Sequence, residues 1–280
     1  MPRLSIVIVT FNSKADIGRC LESLVASAPR TPHEILVVDN ASTDGTADLV
    51  RAQWPQVRVV DAGGNAGFAR ANNIGIRLSA GELVLLLNPD TVANGAAVDG
   101  LAACLDAHRD VAAVGPRIVD GHGRAELSFG PMISPLAEAR QKLLVVGHDR
   151  GWAPITSVVE RRTRQSHDVD WVSGACLMAR RTDLEAAGLF DERFFLYTED
   201  VDLCATLRAT GQRVHFLASV SIVHHRGRSG ASAPAATRRA YRRSHLAFYE
   251  KHHPGWAPLL RLYLTLRGTR PDTPSRPRPL

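Results

Sequence analysis

The chain has 280 residues, 45% of them hydrophobic and 22% charged, with a net charge of +6. Those are the proportions of an ordinary soluble globule, long enough for one large domain or two small ones with an ample core. No apolar run approaches the ~18 residues that a spanning helix needs. The apolar start Leu4–Val9 breaks at Asn12, too early for a signal peptide. Cys20, Cys104, Cys176 and Cys204 lie far apart, without CxxC or zinc spacing, and read as reduced thiols of a cytoplasmic protein. Much of the basic excess falls in 226–243 and in the tail, which points to an anionic surface or ligand at that end. No nucleic-acid motif accompanies the charge, so nucleic acid is not among the expected partners.

The first predicted element is a buried strand over Leu4–Thr10, mostly β-branched. A helix over Asp16–Ala26 follows, with its apolar stripe at Ile17, Leu21, Leu24 and Val25. Then come a strand over Glu34–Val38, a helix over Thr46–Gln53, a strand over Val57–Val60 and a helix over Ala69–Leu78. The unbroken run Leu83–Leu87 reads as a strand buried on both faces at the centre of a sheet, stopped by Pro89. Four strand–helix alternations predict a right-handed, mostly parallel α/β sheet flanked by helices. A helix over Ala96–His108 and a strand over Val111–Val119 follow, with Gly115-Pro116 marking a bend or an edge.

The pattern weakens over Asp120–Asp168, which reads as a mobile insertion with a short helix over Leu136–Val146. Order returns at Val169–Arg180. A short helix over Asp183–Ala187, a helix ending near Ala209, and late strands over Arg213–Leu217 and Val220–His224 complete the reading. Tyr241–Lys251 and Leu259–Leu266 predict two helices broken at Pro254, and the proline-rich end is expected to be disordered. The expected division is one domain over residues 1–235, in two halves, 1–119 and 169–235, around the insertion 120–168. A helical extension over 236–268 and a tail over 269–280 follow.

Polar groups gather where strands end: Thr10 and Asn12, Asp39–Asp44, Asn65–Asn72, and Asn88–Asp90. In a parallel sheet those ends share one rim, the rim where ligands sit. Asp39 can accept the ring N–H of uracil or thymine. Gly63, Gly64 and Gly67 allow backbone to approach a diphosphate, and the helix beginning near Phe68 offers free N–H groups to it. The spacing is not GxGxxG, and a plain loop also fits. Asp90 can hold a divalent cation against phosphate oxygens, with His224 or His225 as a further ligand, although either histidine also fits a surface or core role. Glu199, Asp200 and Asp202 crowd one helix start. They can complement the helix dipole, or raise one another's pKa and supply a general base. Trp171-Val172-Ser173-Gly174-Ala175 fits a platform under a sugar ring, or a core strand with a tight turn.

The chain resembles the family 2 inverting glycosyltransferases of the GT-A fold, and among them the rhamnosyltransferase-like group. The matching residues are Ile6–Asn12, Val37–Gly45, Asn65–Asn73, Leu86–Asp90, Trp171–Ala175 and Thr198–Asp202, in order over most of 4–226. The resemblance implies a nucleotide-diphosphate sugar donor and a glycan or polyprenyl-linked acceptor of cell-wall polysaccharide synthesis. It implies donor binding by Thr10, Asn12, Asp39, Asn40, Asp44, Asn65, Gly67, Phe68, Asn72 and Asn88, and acceptor contacts from Trp171, Ser173 and Gly174. It further implies that Asp200 is the base with Glu199 beside it, and that Asp90 and His224 hold Mg2+ or Mn2+. Asn88 departs from the commoner Asp-x-Asp metal motif and leaves the site one charge poorer. L-rhamnose from dTDP-rhamnose is the first expectation for the donor.

Two alternatives are a sugar-phosphate nucleotidyltransferase and a non-catalytic nucleotide-sugar-binding protein. The first is expected to place a basic Gly-rich loop where Thr10–Ser13 stand; the second is expected to lack carboxylates at 90 and 200. Near the C-terminus, basic residues from Arg238 to Arg261 interleave with Tyr241, Phe248, Tyr249, Trp256 and leucines. They fit either contact with an anionic membrane, which would place the protein at the inner face of the plasma membrane, or a helix packed on the main domain with a solvated basic face.

Overall fold

The structure, a computed structural model, describes residues 1–225 and 234–267. The tail expected to be disordered and part of the basic stretch 226–243 lie outside the described residues. β1 (Leu4–Thr10), α1 (Lys14–Ala26), β2 (His33–Asp39), α2 (Thr46–Gln53), β3 (Arg58–Asp61), α3 (Phe68–Leu78) and β4 (Leu83–Leu87) follow the sequence reading to within a few residues. β1 pairs in parallel with β2 on one side and with β4 on the other, and β2 pairs in parallel with β3.

Alternate residues of a strand reach opposite faces. Leu4, Ile6 and Ile8 share a core with Ile17, Leu21 and Leu24 of α1, whereas Val7 and Val9 share one with Ala71 and Ile76 of α3. Both faces of β1 and β4 are therefore covered, and each reads as an unbroken apolar run. The β1–β2 register sets Thr10 directly beside Asp39.

Next come β5 (Thr91–Val92), α4 (Gly95–Ala107), β6 (Val111–Val119) and β7 (Phe129–Gly130). The segment expected to be a mobile insertion with one short helix instead carries α5 (Pro135–Asp149) and α6 (Ala153–Thr163). Val159 of α6 is fully buried in the second core, and Gln141 of α5 donates to the Phe129 carbonyl at 3.1 Å. Low amphipathic contrast in these helices explains why their period is faint in the sequence. β8 (His167–Val169), β9 (Trp171–Val172), β10 (Cys176–Arg180), α7 (Arg181–Ala186) and α8 (Glu199–Ala209) follow. The two late strands are one, β11 (Arg213–His224), whose register with β6 shifts between Leu217 and Ser221.

The main sheet runs β3-β2-β1-β4-β10-β6-β11-β5, with β8 added on β11. β7 and β9 form a separate pair. Gly115-Pro116 is not at a sheet edge: β6 lies between β10 and β11, and the β10 ladder stops at Val114, just before the residue without an N–H. β10 runs antiparallel to β4 and β6. The turn that enters β10 thus lies on the rim where β4 ends, and Asn88 N–H donates to the Ala175 carbonyl at 3.0 Å.

α9 (Pro234–His252) and α10 (Ala257–Leu266) close the described chain. α9 is packed on the main domain: Phe248 and Tyr249 are buried in the second core, and Lys251 and His252 both reach Asp202, at 2.8 and 2.6 Å. Among the described residues no helix is long and apolar enough to cross a membrane.

Candidate active site

The donor side is a polar net strung between the ends of β1 and β2. Thr10 Oγ1 donates to Asp39 Oδ1 at 3.0 Å, and the Ser42 N–H donates to Asp39 Oδ2 at 3.1 Å. Asp39 is buried, and these bonds fix its carboxylate while leaving lone pairs for a further donor. Asn12, with φ 52°, accepts the Thr43 N–H on Oδ1 at 2.8 Å. Asn40 Nδ2 donates to Asn65 Oδ1, and Asn40 Oδ1 accepts from the Ala66 N–H, so the two asparagines lace the Gly63–Gly67 loop to β2.

Gly67 has φ +84° and lies so close to Phe195 that a Cβ would meet its carbonyl oxygen at 2.6 Å. The Phe68 N–H donates to that same carbonyl at 2.7 Å. Two further expected donor residues bond within the scaffold. Asp44 bonds the Lys14 and Thr46 N–H groups and ties α1 to α2. Burial raises its pKa, but the bonds from Thr46 and Lys14 outweigh it and hold the carboxyl below its ordinary value. Asn72, only 1% exposed, donates to the Phe68 carbonyl and braces the loop from beneath.

Asn88 and Asp90 follow β4. Asn88 Oδ1 is a buried oxygen that accepts no hydrogen bond, and the Asp90 carboxylate is buried two residues on, facing the His224 ring. An unpartnered amide oxygen beside a buried carboxylate suits a hard divalent cation, so these residues fit Mg2+ or Mn2+. Among the described residues no three His, Cys, Asp or Glu side chains form a closed cage.

The β5–β11 pairing sets His224 opposite Thr91 and brings its Nε2 to 3.2 Å from Asp90 Oδ1. Its Nδ1 lies 3.5 Å from Glu126 Oε2, a buried carboxylate on the chain leading to β7. Burial opposes charge on His224, but contact with Asp90 and Glu126 wins and pushes its pKa up to about 9. As a metal ligand His224 must first shed that proton. Glu126 is the residue that sequence reading missed: it stands in the segment with the weakest pattern.

Across the rim, the Gly174 N–H donates to Asp200 Oδ2 at 2.8 Å, and the Val201 N–H donates to Oδ1 at 2.9 Å. Gly174 lets the turn approach: a Cβ there would lie 3.3 Å from Asp200 Cβ. Burial raises the Asp200 pKa against these bonds. Glu199 is buried beside it with Oε2 unpartnered. Burial, and then the charge of Asp200, push the Glu199 carboxyl up to about 8.

Tyr197 and Thr198, which enter α8, both lie in the left-handed region at φ 68° and 67°. For non-glycine residues that conformation costs about 1–3 kcal/mol each, and such strain clusters at functional sites. Burial, then the negative charges of Glu199 and Asp90, raise the Tyr197 phenol. The Gly174-Ala175 turn joins the two acidic centres on one rim: the Asn88 N–H donates to the Ala175 carbonyl and the Gly174 N–H donates to Asp200. Asp202, third of the acidic cluster, is 1% exposed and bound by Lys251 and His252, so it anchors α9.

The expected acceptor residues are partly committed elsewhere. Trp171 Nε1 donates to the Pro131 carbonyl at 2.9 Å, and Ser173 Oγ accepts from the Ala175 N–H at 3.2 Å. Both remain partly exposed.

The sheet gathers its acidic groups along one rim, at the ends of its strands. Residues 5–186 match the family model described as Glycosyl transferase family 2, and the chain belongs to that family. It is 32% identical over 279 residues to the N-acetylglucosaminyl-diphospho-decaprenol L-rhamnosyltransferase of Mycobacterium tuberculosis, a match covering 95% of this chain and 90% of the relative.

Among solved structures, the mannosyltransferase PcManGT of Pyrobaculum calidifontis, in complex with GDP-Man and Mn2+, aligns with a TM-score of 0.63 at 22% identity. That alignment covers 95% of this chain and 70% of that one. Residues 1–349 of S. aureus TarS align with a TM-score of 0.57 at 19% identity, over 80% of this chain and 60% of that longer one. These two likenesses establish the fold. The family assignment replaces the nucleotidyltransferase alternative.

Proposed function

We propose that this family 2 glycosyltransferase moves L-rhamnose from dTDP-rhamnose to a lipid-linked, N-acetylglucosamine-bearing acceptor, with inversion at the anomeric carbon. The observation that carries the reading is the common rim: the Gly174-Ala175 turn is bonded on one side to Asn88, two residues from Asp90, and on the other to Asp200. The sugar and the acceptor class come from the name of the mycobacterial relative, which this chain matches over nearly its whole length.

In this mechanism Asp39 accepts the base N–H, and the Gly63–Gly67 loop receives the diphosphate beside the start of α3. Asp90, with Asn88 and His224 near it, would hold Mg2+ or Mn2+, which neutralises charge on the departing diphosphate. Asp200, fixed by two backbone N–H groups, accepts the proton of the acceptor hydroxyl. The hydroxyl oxygen bonds to the anomeric carbon from the face opposite the diphosphate. The bond to the diphosphate breaks with its electron pair, so one displacement inverts the configuration.

A panel of nucleotide sugars tested for thermal stabilisation, with and without Mn2+, checks the donor. dTDP-rhamnose is expected to raise the unfolding midpoint most, and more with Mn2+ than without. A larger rise with UDP-GlcNAc or GDP-mannose would overturn the donor assignment. Asp90→Ala is expected to remove the metal-dependent part of the rise, read by calorimetry on the nucleotide alone.

A further inference from the structure

The two C-terminal helices do different work. α9 spends its apolar residues on the main domain, whereas α10 turns most of its own outward. Ala257 and Leu264 are buried, but Trp256, Leu259, Leu262, Tyr263 and Leu266 are 51–79% exposed. Positions 259, 262, 263 and 266 follow the spacing i, i+3, i+4, i+7, which is one face of a helix. Of the large apolar side chains left exposed among the described residues, a third lie in these eleven residues. A cluster of that kind marks a surface that meets something.

Charge identifies the occupant. Of the seven Lys and Arg in 234–267, Lys251 and Arg261 pair with carboxylates of the chain itself, and the segment still carries a net positive charge against its single Glu250. A second copy of the chain would bring like charge against like. Of the residues outside those described, 226–233 hold no large apolar side chain and 268–280 hold Leu280 alone, so neither segment can cover the stripe. A bilayer surface supplies both needs. Acyl chains receive leucines, the headgroup zone suits Trp and Tyr, and anionic lipids attract Arg.

We infer that the exposed face of α10 docks on an anionic membrane surface, lying in its plane. At ten residues the helix is about 15 Å long, half a bilayer core, so it rests on lipid and does not span it. Lys251 and His252 of α9 hold Asp202 of α8, the helix that begins with Glu199 and Asp200. The docked face and the rim thus belong to one packed unit. The inference goes beyond the proposed reaction and does not depend on it.

Flotation of the full chain with phosphatidylcholine vesicles, with and without phosphatidylglycerol, tests it. The chain is expected to float with the anionic vesicles, less with neutral ones, and less again as salt rises. The triple variant Leu259→Glu, Leu262→Glu, Leu266→Glu is expected to lose roughly a hundredfold in partitioning while keeping its circular dichroism spectrum. The single variant Leu266→Glu changes the most exposed position of the stripe, needs no repacking, and is expected to lose about tenfold. Equal flotation of wild type and both variants would overturn the inference. So would absence of flotation together with a concentration-dependent dimer that the triple variant abolishes, which would assign the face to a second copy.

Discussion

Asp200 is held by backbone amides: Gly174 and Val201 each donate one N–H, and among the described residues no cationic side chain is bonded to it. Amide donors fix the carboxylate but lower its basicity; burial outweighs them and keeps it basic enough to take a proton. Asp200→Asn retains an oxygen for the Gly174 bond, so the variant is expected to fold normally and to lose turnover by ~10²–10⁴. Near-wild-type turnover in a direct transfer assay would remove Asp200 from the role. Glu199 poses the opposite case. Its carboxyl keeps a proton to about pH 8 in the folded chain, against an ordinary value of 4.5. Between those values the folded chain binds a proton that the unfolded chain has released, so stability falls as pH rises. Glu199→Gln has nothing to ionise there. Its advantage over wild type is expected to grow from about pH 5 to pH 8, reaching on the order of a few kcal/mol in urea denaturation.

Elements place these groups, and two of them can be probed by substitution. The loop before α3 depends on Gly67, whose positive φ and contact with Phe195 leave no room for a side chain. Gly67→Ala is expected to destabilise the fold by about 1–3 kcal/mol and to weaken nucleotide binding, measured by denaturation and calorimetry. α9 is joined to the main domain by a buried ring and by ionic contacts. Phe248 is fully buried, and Phe248→Ala is expected to cost about 3–5 kcal/mol in denaturant unfolding. On its outer turns, His245 and Tyr249 both reach Glu138 of α5, at 2.6 Å each. Burial raises the Glu138 carboxyl, but His245 and Tyr249 outweigh it and hold it below its usual range. That contact stabilises above the ordinary glutamate value and is lost as pH falls through the lowered one.

Across the whole molecule, the first half was legible because its physics is local. Leu4–Thr10 and Leu83–Leu87 are buried on both faces, so each announces itself as an apolar run ended by polar residues that line the rim. The rest was less legible where pairing is long-range. β5 spans two residues and exists through β11, more than a hundred positions away, and the same pairing carries His224 to Asp90. Glu126 gave no signal because neither its neighbours nor its spacing show that a histidine will arrive from β11. The acidic trio at the start of α8 looked uniform, yet burial, an amide clamp and a lysine divide it into three different tasks. β10, finally, runs against its neighbours and makes the sheet a seam. On the proposed assignment, all that grips the nucleotide except His224 is written ahead of that seam, and the proton acceptor and the acceptor platform are written around and after it. A lineage could exchange the later segment wholesale and acquire a new recipient while keeping its sugar currency intact.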